Sequence, residues 1–292
     1  MNTAPKRALV AGATGYLGGF VVREFKRRGY FVRALARSAD KLRGMEGDLD
    51  EIVVGEVTKP ETLVGICDGI DVVFSSVGIT KQKDGLTFQD VDFRGNKNLL
   101  EVAQKSGVQK FIYTSVFRGP SLLHLAIVKA HEDFVSALKA SRMEHTIIRP
   151  NGFFSDMGEY LTMARKGRVY LIGDGSNRIN PIHGADLATV CADAVELGVE
   201  EIDVGGPEIL THREIARLAF AVAGKPPRIT SIPVWLMRVV GSLTRVFSQH
   251  QGELLAFFIE AMTNEAVAPI TGSRTLVEHF RAQVPSPETH RA

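Results

Sequence analysis

Cysteine is scarce in this chain of 292 residues. Cys67 and Cys191 are its two thiols, and they lie far apart. A disulfide scaffold is excluded, neither residue sits in a Cys-x-x-Cys pair, and a reducing compartment fits. Excess charge is lacking too. Lys and Arg number 35 against 33 Asp and Glu, a net +2, which gives no electrostatic footprint for nucleic acid. No apolar stretch runs for 18 residues without interruption, so no transmembrane span is expected. There is no Gly-x-Ser-x-Gly nucleophile elbow. No lysine closes a Walker loop, because Lys26 comes too late, and His131-Glu132 is not followed by a zincin's second histidine. No metal site, internal repeat or low-complexity tract is found. The apolar run Ala8-Leu9-Val10-Ala11 is too short for a signal-peptide core, so the expected compartment is the cytoplasm.

What is there reads as a globular protein, 45% hydrophobic and 23% charged, with one large domain plus an appendage. Short apolar runs at 8–11, 31–36, 52–54, 72–75, 111–114 and 146–148 are continuous in character, as strands covered on both faces should be. Amphipathic segments separate them: Leu17, Val21 and Phe25; then Leu99, Leu100, Val102 and Ala103; then Leu122 to Leu138. Strand–helix alternation of this kind predicts an α/β, Rossmann-type doubly wound parallel sheet. After Pro150 the rhythm changes, with turn signals at 173–177 and 205–207 and one further sheet helix at 184–197. The expected division is a dinucleotide-binding domain of residues 1–151 plus 184–200. A smaller α-rich substrate cap with a few short strands takes 152–183 and 201–284, and 285–292 forms a frayed tail.

The first apolar run ends in Gly12-Ala13-Thr14-Gly15-Tyr16-Leu17-Gly18, which opens the first helix. Glycine suits a sharp turn where backbone approaches a pyrophosphate, and the helix start offers N–H groups and a partial positive charge to that anion. The competing reading is a tight turn with no ligand. About 20 residues on, a carboxylate would bind a ribose 2′-hydroxyl. Here the segment is Arg33-Ala34-Leu35-Ala36-Arg37-Ser38, with no carboxylate. A guanidinium at Arg37, helped by Ser38 and Lys41, suits a 2′-phosphate, which predicts NADPH over NADH.

The Gly-x-x-Gly-x-x-Gly spacing resembles atypical and extended members of the short-chain dehydrogenase/reductase superfamily. Further stretches are similar to theirs: Glu56-Val57 near the adenine, Ser76-Val77-Gly78 beside the adenosine, Asp92 to Thr114, Arg149-Pro150-Asn151 and Gly205-Gly206-Pro207. The later ones resemble NmrA-like NAD(P)H-binding proteins. The likeness implies catalytic roles for Lys129, which would also hold the nicotinamide ribose, and for Ser115. It also implies a Tyr four residues before the Lys, on the same helix face. That position is Leu125. Tyr160, just after the sixth strand, is the candidate replacement, although packing within the cap suits it better. Tyr113 reads as core and His131 as a surface histidine.

Two functions follow from the resemblance. One is an NADPH-dependent reductase delivering hydride to a carbonyl or activated C=C of an apolar small molecule. The other is a non-catalytic NADPH-binding sensor or assembly protein with a protein partner. Residues 235–247 form an amphipathic stripe through Leu236, Val240, Leu243 and Phe247. A cap helix packed on the core is the expected reading, and a membrane-lying helix the lesser one.

Overall fold

The computed structural model describes residues 5–79 and 85–284, so the expected tail at 285–292 lies outside the described residues. The chain divides into two compact units. One comprises Met1–Arg149 and Leu187–Asp203, the other Pro150–Asp186 and Val204–Ala292.

The first unit opens with β1 (Arg7–Ala11), α1 (Tyr16–Arg27), β2 (Phe31–Ala36), β3 (Glu51–Val54) and β4 (Val72–Ser75). It continues through a wide helical turn at Gln89–Gly95 into α2 (Asn96–Lys105), then β5 (Lys110–Thr114), α3 (Ala126–Ala140) and β6 (Glu144–Pro150). β1 lies between β2 and β4 in a parallel array, with Val10 opposite Ala34 on one side and Phe74 on the other. Every residue of β4 and β5 is buried, which is why their apolar runs do not alternate. α2 and α3 cover one face with Leu99, Phe134 and Leu138, packed on Val73, Phe111 and Ile147.

The second unit holds α4 (Phe154–Arg165), β7 (Val169–Ile172), β8 (Arg178–Ile179) and the start of α5 (Gly184–Asp193). After β9 (Glu201–Val204) come β10 (Leu210–Thr211), α6 (His212–Val222), β11 (Ile229–Ile232), α7 (Val234–Phe247), α8 (Gln249–Thr263) and α9 (Leu276–Ala282). α4, α6 and α9 bury Phe154, Leu161, Phe220 and Phe280 around β7. Two-stranded sheets β10–β8 and β11–β7 complete this unit.

Three expectations are corrected. The main sheet has seven strands, ordered β3-β2-β1-β4-β5-β6-β9, so residues 201–204 form a sheet strand rather than part of the cap. β9 follows β6 in register, with Ile147 N–H donating to Glu200 O and Asn151 N–H to Val204 O. The third helix starts at Ala126 rather than Leu122, after a tight turn at Gly119–Ser121. No residue of α7 is buried, so it is not a helix packed on the core.

Candidate functional site

β1 delivers the chain into the glycine loop with no slack. Gly12 takes a left-handed φ of 88° that a side chain would resist. Its carbonyl accepts the Gly15 N–H at 2.8 Å. A Cβ on Gly18 would stand 2.0 Å from that same carbonyl oxygen, and one on Gly12 would stand 2.8 Å from Ser76 Oγ. Loop, helix start and β4 exit thus meet backbone to backbone. No side chain caps α1, and its first turn holds no acid. An anion would therefore meet N–H groups and the positive end of the helix there.

A cleft opens beside this loop. Of the expected cofactor residues, Gly12, Thr14, Gly15, Arg37 and Lys41 line it, as do Glu56, Val57, Ser76, Val77 and Gly78. Tyr16, Leu17, Gly18 and Ser38 do not line it. Leu17 is buried and Gly18 packs on Gly12, while the Tyr16 ring meets Phe20 edge-on at 5.3 Å. Gly55, Ile79, Leu86 and Val91 line the cleft without having been singled out from the sequence. A readable signal existed for Gly55, which directly precedes Glu56 and has Thr62 O 2.8 Å from where its Cβ would be.

Two asparagines fasten the cleft walls. Asn96, fully buried, accepts from Ser75 Oγ (2.6 Å) and donates to Val77 O (3.1 Å). Asn98 donates to Val57 O at 2.8 Å. At the end of β2 the cleft meets the cations Arg37 and Lys41. Glu56 is the one carboxylate among the described lining residues. Lys59, 2.8 Å away, holds its pKa below the usual range, with Thr58 and the Arg37 charge acting the same way. The cleft suits a dinucleotide: a cradle that a Cβ would fill, a helix start, and two cations at the end of β2.

Each of the expected catalytic side chains already has a partner of its own. Lys129 does not line the cleft, and its side chain is 56% exposed, with Nζ 2.7 and 2.9 Å from the Asp133 carboxylate. The polar partner expected in a ribose is thus already Asp133. Ser115 is buried and donates to Glu132 Oε1 at 2.8 Å. Glu132 in turn pairs with Arg149 at 2.6 and 3.0 Å, and Arg149 with Glu201 at 2.8 Å. Gly119 must be glycine beside this network, because its Cβ would fall 2.3 Å from Glu132 Oε1. Tyr160 lies in the core of the second unit with its hydroxyl 2.7 Å from His212 Nδ1. Burial pushes that phenol well above its ordinary pKa. Leu125 is the extended residue capping α3, not a member of the helix.

A polar chain that the sequence reading missed stands behind the cleft wall. Tyr113 Oη is 2.6 Å from His131 Nδ1, and His131 Nε2 is 3.2 Å from Asp92 Oδ1. The other oxygen of Asp92 accepts the Ile79 N–H at 3.3 Å. A Cβ on Gly78 would lie 2.8 Å from Asp92 Oδ1. His131 is therefore no surface histidine: its side chain is 14% exposed and engaged through both nitrogens. Burial raises the pKa of Asp92, against the pull of His131, and that of Tyr113. Both thiols are buried and pushed up, Cys67 to about 12, away from thiolate chemistry.

A family model described as NAD(P)H-binding matches residues 12–197. The photosystem II assembly factor Ycf39 of Synechocystis sp. is 29% identical over 258 residues, 86% of this chain and 78% of that protein. The chloroplastic divinyl chlorophyllide a 8-vinyl-reductase of Zea mays is 30% identical over 253 residues, 80% of this chain. That match spans 63% of the reductase's own length. Among solved structures, the NADPH complex of the quinone oxidoreductase QOR2 of Escherichia coli shares the fold. Its TM-score is 0.74 at 16% identity, covering 95% of this chain and 99% of that one.

Proposed function

The chain belongs to the NAD(P)H-binding family, and from that premise we propose that it is an NADPH-dependent reductase of a carbonyl or activated C=C in an apolar small molecule. The observation that carries this is the cleft itself. A glycine cradle without room for a Cβ faces a β2 end that presents Arg37 and Lys41 and no carboxylate. Gly12, Gly15 and the start of α1 would hold the pyrophosphate. Arg37 and Lys41, with Ser38, would hold the 2′-phosphate, a charge-assisted contact that a bare hydroxyl cannot repay. Lys129, exposed on α3 and paired with Asp133, would exchange that carboxylate for the nicotinamide ribose. NADPH supplies a hydride when bound. Ser75, Asn96 and Asn98 keep the walls in place, and Asp92 fixes the Ile79 backbone at the cleft. A conjugated acceptor that takes up hydride becomes an enolate, which water protonates, so the absent phenol at Leu125 is no obstacle. Similarity to the maize vinyl reductase supports this choice of acceptor.

A second reading has its own observation. The hydroxyls of Ser115 and Tyr160 are both engaged in buried networks, and Lys129 is paired with Asp133. That arrangement suits a protein that binds NADPH without turnover and assembles with another protein, and the likeness to Ycf39 supports it. Fluorescence titration with NADPH and NADH, followed by NADPH oxidation against quinones, enones and aldehydes, separates the two. Oxidation of a panel member that collapses in Lys129→Ala is the outcome expected of the reductase. Tight binding without turnover on any acceptor leaves the assembly reading. Equal affinity for both cofactors would sink the assignment of Arg37.

A further inference from the structure

α7 turns its apolar side outward. Val234, Met237, Gly241 and Thr244 are its less exposed positions, spaced for one face, and that face lies on α8. The approach there is close. A Cβ on Gly252 would be 2.6 Å from Arg245 Cβ, and one on Gly241 would be 3.7 Å from Leu255 Cδ2. The large side chains take the opposite side. Trp235 is 67% exposed, Leu243 59%, Val246 79% and Phe247 90%, with Leu236 and Val239 between them. At 100° per residue these fall in a sector roughly 120° wide. Burying this stripe would repay its exposure, and solitary surface residues do not account for it.

We propose that α7 is a docking helix that lies in the plane of an anionic lipid surface, with its apolar stripe in the acyl boundary. Charge favours that occupant. α7 carries Arg238 and Arg245 and no acid. Both arginines fall on the margin between the stripe and the α8 side; Arg245 pairs there with Glu253 of α8 at 3.3 Å, and the exposed Arg238 is the cation that would meet lipid headgroups first. A second copy packed antiparallel on the same face would set arginines against arginines. The stripe has a tryptophan near one end and a phenylalanine at the other, a distribution suited to a membrane interface. Fourteen residues are too short to cross a bilayer, and no helix among the described residues is long and apolar enough to do so. The contact is therefore one of surface type. This inference does not rest on the cofactor reading.

Trp235 is the chain's single tryptophan, so intrinsic fluorescence reports from α7 itself. The full chain is titrated with vesicles of phosphatidylcholine alone and of equal parts phosphatidylcholine and phosphatidylglycerol. A blue shift with the anionic vesicles is expected, with affinity falling about tenfold or more in Leu243→Glu/Val246→Glu and about fivefold in Arg238→Gln. All three substitutions fall on exposed side chains, and an unchanged far-ultraviolet dichroism spectrum certifies the fold. No shift with anionic vesicles overturns the proposal. So does equal binding to the neutral vesicles, or a shift that appears on concentrating the protein alone as its mass doubles. Binding to native membranes that protease treatment of those membranes abolishes, without binding to protein-free vesicles, overturns it in favour of a protein partner.

Discussion

α1 and α7 are written in the same code and meet opposite fates. Each is amphipathic. α1 buries Leu17, Val21, Val22 and Phe25, whereas α7 buries nothing. The difference lies in what surrounds them. α1 leaves β1 through a loop so tight that Gly18 rests on the Gly12 carbonyl, which lays its apolar face on β1 and β2. α7 follows Pro233 out of β11 and packs chiefly on α8, along its smaller residues. Periodicity tells which face of a helix is apolar. It does not tell whether any neighbour will cover that face.

The contrast can be broken most directly by truncation. Phe25→Ala, at a fully buried ring, is expected to cost about 3–5 kcal/mol in urea unfolding, while Leu243→Ala on α7 should stay within about 0.5 kcal/mol. Similar losses at the two sites would mean that α7 is covered in solution. The next effect concerns the start of α1. Gly18→Ala places a methyl 2.0 Å from Gly12 O, so the loop must open. NADPH affinity should fall about 100-fold, equivalent to about 2.7 kcal/mol, as read by calorimetric titration. An unchanged affinity would show that the loop is not the cradle. Smaller again, Arg37→Ala should weaken NADPH about tenfold and leave NADH unmoved, because the guanidinium addresses one extra phosphate.

Much of the first unit was legible because parallel strands covered on both faces spell themselves as unbroken apolar runs. β9 was not, because Glu201-Ile202-Asp203-Val204 alternates, as a strand at the sheet edge does when one side meets water. Lys129 misled for a local reason. Its neighbours Ile127, Val128 and Ala130 are buried, yet the lysine points off their face and finds Asp133 one turn on. His131 and Asp92 are 39 positions apart in sequence, so nothing local announces their meeting behind Gly78. In the second unit the reading stopped at helices with a few short strands. Its strands β8 and β10 are two residues long, and its largest apolar stripe points away from any core.

The smallest expected effect separates the two units by acid. In the second unit, burial lowers the pKa of His183, His212 and His279. His183 Nδ1 accepts the Ala185 N–H at 3.1 Å, a bond that a proton on that nitrogen would end. His279 lies 5.5 Å from His183 and 5.4 Å from Phe154, ring to ring. A histidine whose folded pKa is depressed binds protons more readily when unfolded. Its neutral form therefore favours the fold above the unfolded value of about 6.5, and that contribution is lost as pH falls through the folded value. In the first unit, Glu24 and Asp50 are lowered carboxylates, and theirs is lost only further into acid, below about pH 4. The urea midpoint should accordingly fall between about pH 7.5 and 5.5. His279→Phe, which keeps an aromatic ring against Phe154, should flatten that slope. A slope unaltered by this substitution would remove His279 from the acid response and leave His183 and His212 to carry it.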